Sequence, residues 1–480
     1  MATQTARLPR RAPTFSFVRR ESDLWLALAL GGLVGLLIFK LPVESALASA
    51  VVGAFVILAF VDTRVAVLAL VLVRATIDVT ATVPLLSASG SSNVNAAAVM
   101  SLLVIGLTFA HVALNRVDLL RIPLVKPFGI FLLISLLGVG VAPDRARAVE
   151  EWLRVAGAFA LYVIVVDLMA TKAEWRWVVR VILLSSIVPL CVGLYQFFTD
   201  TGNHDTAGYN RIQGTLVHPS PYGFYLVQIL PLAVFFLLYT RSKISRVGLI
   251  AMVPLIIFSI YATQTRGAWI GVVVVVAVFM LARARWSLVL LPLAAGALFF
   301  AVPSVRARLD SATTGTCVSA SYCQSSVLWR QKQWEDTIRI ASPAQIATTG
   351  AGLAAVDVDL GLNAHNEYLR LLVETGIGGL IAMIILYRSL LGIALRGYRE
   401  APTPYQRDLM LAFLMVWAAR VVIGLTDNII IVVLEWYFWA FAAIVVGMSG
   451  AYRPAWAHQR VPAAPPPEAE PPPEAAALPA

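Results

Sequence analysis

His365, Asn366 and Glu367 stand together in "LNAHNEYLRLLVETGIGGL", residues 362–380, where a polar stretch gives way to a long apolar run. The chain has only five histidines, and an imidazole is the side chain that exchanges its proton near neutral pH. Arginines are the other residues whose placement invites chemistry. Arg74, Arg154 and Arg420 interrupt apolar runs, where a charge is costly and by default marks a site facing the protein interior. Arg145, Arg147, Arg211 and Arg266 fall in short connections between such runs. A guanidinium offers forked hydrogen bonds that match phosphate oxygens. A set of them at one depth suits an anionic ligand, and a lipid-linked diphosphate would sit at that depth. Each interrupting arginine also has a plainer reading as half of an ion pair: Arg74 with Asp78, Arg154 with Glu150, Arg420 with Asp427.

The elements that must position these groups are membrane helices. Hydrophobic residues make up 59% of the 480 and charged ones 13%, with a mean hydropathy of +0.80. A soluble domain is less apolar than this. Runs of spanning length lie near 24–39, 43–61, 64–80, 95–115, 122–141, 149–168, 175–198, 220–240, 245–263, 267–283, 286–302, 370–395, 407–425 and 429–451. That is about fourteen, or about twelve if short neighbours merge. The expected fold is an all-α integral membrane protein of 12–14 transmembrane helices, with one long loop containing short amphipathic helices. Five parts follow: a basic cytoplasmic leader (1–23), the first part of the bundle (24–302), a long extracytoplasmic loop (303–369), the C-terminal helices (370–451) and a disordered proline-rich tail (452–480). The leader followed by an apolar run and "ALASA" resembles a signal peptide, but the apolar "VVGAFVILAF" that continues it favours an uncleaved anchor.

The net charge of +10 resolves into basic loops on alternate sides, which the positive-inside rule reads as cytoplasmic. Both termini are then inside, and no basic run interleaved with aromatics suggests a nucleic-acid partner. The outer face collects "YNRIQGTLVHPSPYGFYL" with Arg211 and His218, "TQTRGAWIG" with Arg266, and the loop ending at His365. Within that loop, residues 329–353 read as an amphipathic helix followed by a glycine-bearing turn. Cys317 and Cys323 in "TCVSASYC" are spaced for a local disulfide in an oxidising compartment or for two free thiols. His111 and His458 read as structural or solvated, and the glycines of "ETGIGGL" as sites of close helix packing.

The order R-x-x-G-x-x-x-x-P, then T-R-G-A-W, then H-N-E-Y-L-x-x-L-x-E-x-G-x-x-G-L resembles the O-antigen ligase/polymerase superfamily over residues 200–390. The resemblance implies a bacterial inner-membrane glycosyltransferase (GT-C-like) that takes a glycan from an undecaprenyl-diphosphate carrier and transfers it, outside the cytoplasmic membrane, to a glycan or glycolipid acceptor. It maps His365 onto a general base for the acceptor hydroxyl, and Arg211 and Arg266 onto diphosphate recognition. Direct attack opposite the diphosphate implies inversion. Arg74, Arg154, Arg420 and His218 are further candidates, and Asn366 and Glu367 would orient the imidazole or hold the acceptor. His365 with Asn366 could instead cap the following helix. No cofactor is implied; Asp357 and Asp359 in "VDVDL" are the nearest metal-ligand candidates, and two lone carboxylates do not make a site. A polymerase would use the same chemistry with another lipid-linked repeat as acceptor. A flippase for lipid-linked sugars is the alternative from another class; it calls for polar features at the bilayer midplane and two related halves, whereas here they gather on one face.

Overall fold

The computed structural model describes positions 53, 55, 57 and 58 and residues 61–79, 86–87, 93–94, 96–204, 210–312, 314, 317–319, 322–323, 325–361 and 363–454. The expected leader, the first span, most of the second and the tail beyond residue 454 lie outside them. Every expected span from residue 64 onward meets a helix. These are α1 (Thr63–Ile77), α2 (Ala96–Asn115), α3 (Val125–Val141), α4 (Arg145–Leu168), α5 (Lys172–Leu184), α6 (Ile187–Thr199), α7 (Pro219–Tyr239), α8 (Lys243–Ala262), α9 (Arg266–Arg283) and α10 (Leu290–Ala301). After the long polar segment come α15 (Glu367–Arg399), α16 (Pro404–Ile423) and α17 (Val432–Met448). That segment itself holds α11 (Pro303–Asp310), α12 (Ser326–Ile340), α13 (Pro343–Ala347) and α14 (Ala355–Leu360). Two-residue and three-residue strand pairs are the only sheet among the described residues.

Among the described residues, six helices or helix pairs are long and apolar enough to cross a membrane, or seven if α10 and α11, bent by 98°, form one span. The expected count was higher. At 15 and 17 residues, α1 and α3 fall short, and α4 and α16 carry ionic residues such as Arg154 and Arg420 within their length. The chain is a multi-pass, all-α membrane protein.

At the centre is α17. Its run "WYFWAFAAIVV", which follows Glu435, is apolar on every face, and a helix of that kind must be surrounded by protein. Trp436, Phe438, Trp439 and Phe441 are buried, with α1, α4, α5, α7, α15 and α16 packed around them. Phe128 of α3 meets the Trp439 ring at 4.5 Å.

Two features set where His365 lies. The first is a break in α15 at Gly376, whose φ of 68° and ψ of −176° belong to a region open essentially to glycine alone. The break releases the carbonyls of Val373 and Glu374, which accept the N–H groups of Ala351 (2.7 Å) and Gly352 (3.2 Å). The glycine-bearing turn is thereby docked onto α15. The glycine of "ETG" is thus a break in the helix and also a point of close approach, to the docked turn: a Cβ there would lie 2.2 Å from the Thr348 carbonyl oxygen. The second is a small core of Ala341, Val356, Ala364 and Val373, which folds the end of the loop back onto α15.

Candidate active site

His365 precedes Asn366, the cap of α15, with φ of 49°, a left-handed conformation that persists in a non-glycine residue only where the surroundings enforce it. Asn366 caps the helix, its side-chain oxygen accepting the Leu369 N–H at 3.1 Å. Glu367 turns inward, fully buried. Its N–H donates to the Gly424 carbonyl at 2.9 Å, and its carboxylate accepts the N–H groups of Ile429 (2.7 Å) and Ile430 (2.9 Å). The same carboxylate pairs with Arg370 at 2.7 Å. Glu367 therefore clamps the start of α15 to the connection between α16 and α17, instead of facing open space.

That connection carries Asp427. Its Oδ1 lies 3.0 Å from His365 Nδ1 and accepts the Asn428 N–H at 2.9 Å. Burial works to raise the Asp427 carboxyl, but its hydrogen bond and charge contact with His365, the Arg330 charge and the Asn428 N–H outweigh it and hold the group below its ordinary value. An ionised Asp427 keeps the proton on Nδ1 and leaves Nε2 with its lone pair. The Trp329 ring stands edge-on to the imidazole, 4.9 Å between centroids.

The pair borders a cavity of about 500 Å³ whose wall also includes Arg74, Asp78, Arg154, His218 and Arg370. His218 caps α7, Nδ1 accepting the Ser220 N–H at 3.2 Å, so its proton sits on Nε2. The protein around it, the Arg211 charge and the His365 charge lower His218 to about 4, against an opposing pull from Asp427. Part of its surface is open and water there softens the shift; the direction keeps the ring neutral.

The remaining candidates separate by surroundings. Arg74 is wholly buried; Nη2 donates to Asp78 at 3.1 Å, while Nε and Nη1 find no partner among the described residues. Arg154 is held by Glu150 (2.6 Å) and Glu151 (2.7 Å). Arg370 continues this network to Glu151 and Glu374. Arg420 pairs with Glu435, not with Asp427, and donates to the Tyr387 hydroxyl at 2.8 Å; it links α15, α16 and α17 inside the core. Arg211 Nε donates to the Thr263 carbonyl and Nη2 to the Thr265 hydroxyl, both at 3.0 Å. Arg266 is the first residue of α9, directly after that turn. Arg308 reaches the same turn at the Gln264 carbonyl, 3.1 Å. Three guanidiniums thus belong to one turn, and Arg211 couples it electrostatically to His218. Asp357 pairs with Arg147 at 3.2 Å. Cys317 and Cys323 are opposite each other in the backbone register of their hairpin.

Residues 251–384 match the family model described as O-antigen ligase. That segment is similar to the O-antigen ligase family. The match supports the O-antigen ligase/polymerase superfamily, and with it a ligase- or polymerase-type role in polysaccharide biosynthesis at a membrane. The matched segment runs from within α8 to the middle of α15 and contains Arg266, Arg308, Trp329 and His365; Arg211, His218 and Asp427 lie outside it. No curated protein matches the chain.

Arg308, Arg370 and Trp329 carry no distinguishing mark in the sequence, and Asp427 reads there only as a partner for Arg420. Asp427 is 62 residues from His365, beyond any helical or strand periodicity. The one local sign was its place in "TDN" between two apolar runs.

Proposed function

We propose that the protein is an integral-membrane glycosyltransferase of the O-antigen ligase type. It moves a glycan from an undecaprenyl-diphosphate carrier to an acceptor hydroxyl on the outer face of the cytoplasmic membrane. The observation that carries this reading is the His365–Asp427 pair at the wall of a cavity that also includes Arg74. A space of this size falls in the range of small-molecule sites.

In the reaction the acceptor hydroxyl attacks the anomeric carbon from the side opposite the diphosphate. Its proton passes to His365 Nε2 as the new carbon–oxygen bond forms. The bond from that carbon to the phosphate oxygen breaks, its electron pair leaves with the diphosphate, and the configuration inverts. Asp427 holds Nδ1–H throughout and stabilises the imidazolium that forms. Charge growing on the leaving oxygen is met by fixed cations, for which Arg211 and Arg266 are the candidates; Arg74 has two donors not used by its neighbours. Asn366 and Glu367 serve this site indirectly, by fixing the helix start and the connection that presents Asp427.

The test is transfer by the purified full-length protein, with a chelator present, from an undecaprenyl-diphosphate oligosaccharide to a panel of acceptors. Product from the wild type, lost in a folded Arg266→Ala variant, supports the enzyme. Preference for a glycolipid core acceptor marks a ligase, and preference for a second lipid-linked repeat marks a polymerase. No transfer to any acceptor, together with movement of the lipid-linked glycan across liposome membranes, would replace the enzyme with a transporter.

A further inference from the structure

A second site lies away from the cavity just described, where α5 and α6 meet α7 and α8. Lys172, Arg176 and Arg180 recur every four residues along one face of α5 and are exposed. Spaced over eight residues, they rise about 12 Å along the helix. The carboxylate within the same turn, Glu174, is engaged elsewhere, pairing with Arg64 at 2.8 Å and accepting the N–H groups of Ala170 and Thr171. None of the three cations pairs with a carboxylate among the described residues. Aromatic rings hold them in place instead. Lys172 and Arg176 flank the Tyr405 ring at 5.0 and 5.1 Å, and Arg180 lies over Trp177 at 4.9 Å. Trp177 is itself 53% exposed, as expected of a ring at the level of the lipid headgroups.

Arg180 stands at the mouth of a groove of about 440 Å³, which continues past Leu183 to Leu190 on one wall and past Gly248 to Leu255 on the other. Arg180 is the sole charged residue of its lining. The site is therefore cationic at one end and greasy at the other, and both ends open on the protein's outer surface. A free phosphate would match the first half, and an uncharged lipid the second. Only an amphiphile with an anionic head matches both.

We propose that this ladder and groove bind one anionic glycerophospholipid, its phosphate against Lys172, Arg176 and Arg180 and an acyl chain between α6 and α8. Binding here is independent of the transfer reaction, because no group at the cavity containing His365 takes part.

The experiment uses the full-length protein, delipidated in detergent and given phosphatidylglycerol or phosphatidylcholine with identical acyl chains. Retained lipid is counted by native mass spectrometry, and stabilisation is read as a shift in thermal unfolding. The wild type retains phosphatidylglycerol with a preference of about tenfold or more. The combined variant Lys172→Gln, Arg176→Gln, Arg180→Gln loses that preference. Gly248→Leu fills the groove, since no heavy atom lies within 4 Å of where its Cβ would sit, and it reduces retention with the ladder intact. Equal retention of the two lipids by the wild type would overturn the proposal, as would preference surviving in the triple variant. Unchanged retention in Gly248→Leu would overturn the groove's part, and so would inorganic phosphate stabilising the protein as well as the lipid does.

Discussion

Asp427 defines the chemistry open to His365 by fixing which nitrogen carries the proton. An amide at position 427 would accept the same hydrogen bond without stabilising the imidazolium, or would flip and select the other tautomer. Asp427→Asn is therefore expected to lower the rate of transfer by about 10²- to 10⁴-fold, with donor affinity little changed; comparison of kcat with KM for the donor checks this. His218 provides a contrast within the same cavity. Its pKa is lowered to about 4, so it stays neutral through the range where imidazoles ordinarily titrate. The unfolded chain takes up a proton at His218 below the ordinary imidazole value and the folded chain does not, so this residue subtracts stability as pH falls towards about 4. His218→Asn is accordingly expected to leave the pH profile of transfer in place above pH 5 while reducing the acid sensitivity of unfolding. A shift of the transfer profile in that variant would make His218 a participant. The sequence showed His365 through its position at an apolar edge. It could not show Asp427, because their pairing depends on how two helix ends meet.

At the scale of the element, the helices were legible and their interruptions were not. Apolar runs ending at charges located every described span, since burial in lipid leaves a continuous signal along the chain. Gly376 lies inside such a run, and the left-handed break there leaves no mark in hydropathy. The break nonetheless governs the site, because the freed carbonyls of Val373 and Glu374 dock the turn at Ala351 and Gly352, and that turn leads into the segment ending at His365. Gly376→Ala should cost about 1–3 kcal/mol from backbone strain alone, with the 2.2 Å approach to Thr348 added. Thermal unfolding in detergent measures this, and wild-type stability would show that the loop can redock without the break. Glu367 works at the same scale. Its carboxylate caps two N–H groups of the α16–α17 connection, so Glu367→Gln is expected to loosen Asp427 and slow transfer, and Glu367→Ala to do so more strongly.

Across the whole molecule, the interior ion pairs brace the bundle around α17. Arg420 and Glu435 illustrate the limit of reading pairs from spacing: Asp427 is nearer in sequence, but the packing of α16 against α17 presents Glu435. Removing one partner leaves a buried charge, so Arg420→Ala should destabilise the protein by about 3–5 kcal/mol, and replacing both partners with apolar residues should recover much of it. His111, read from sequence as structural, lies 2.7 Å from Asp167, which also accepts from the Tyr452 hydroxyl at 2.6 Å. This cluster ties the end of the described chain to α2 and α4. The division between bracing charges and the few groups on the cavity wall leads to a single decisive measurement. Single-turnover transfer from a bound lipid-linked donor should fall by about 10²- to 10⁴-fold in His365→Ala, with donor binding and unfolding temperature unchanged. A His365→Ala protein that transfers at the wild-type rate would contradict the general-base role on which the account rests.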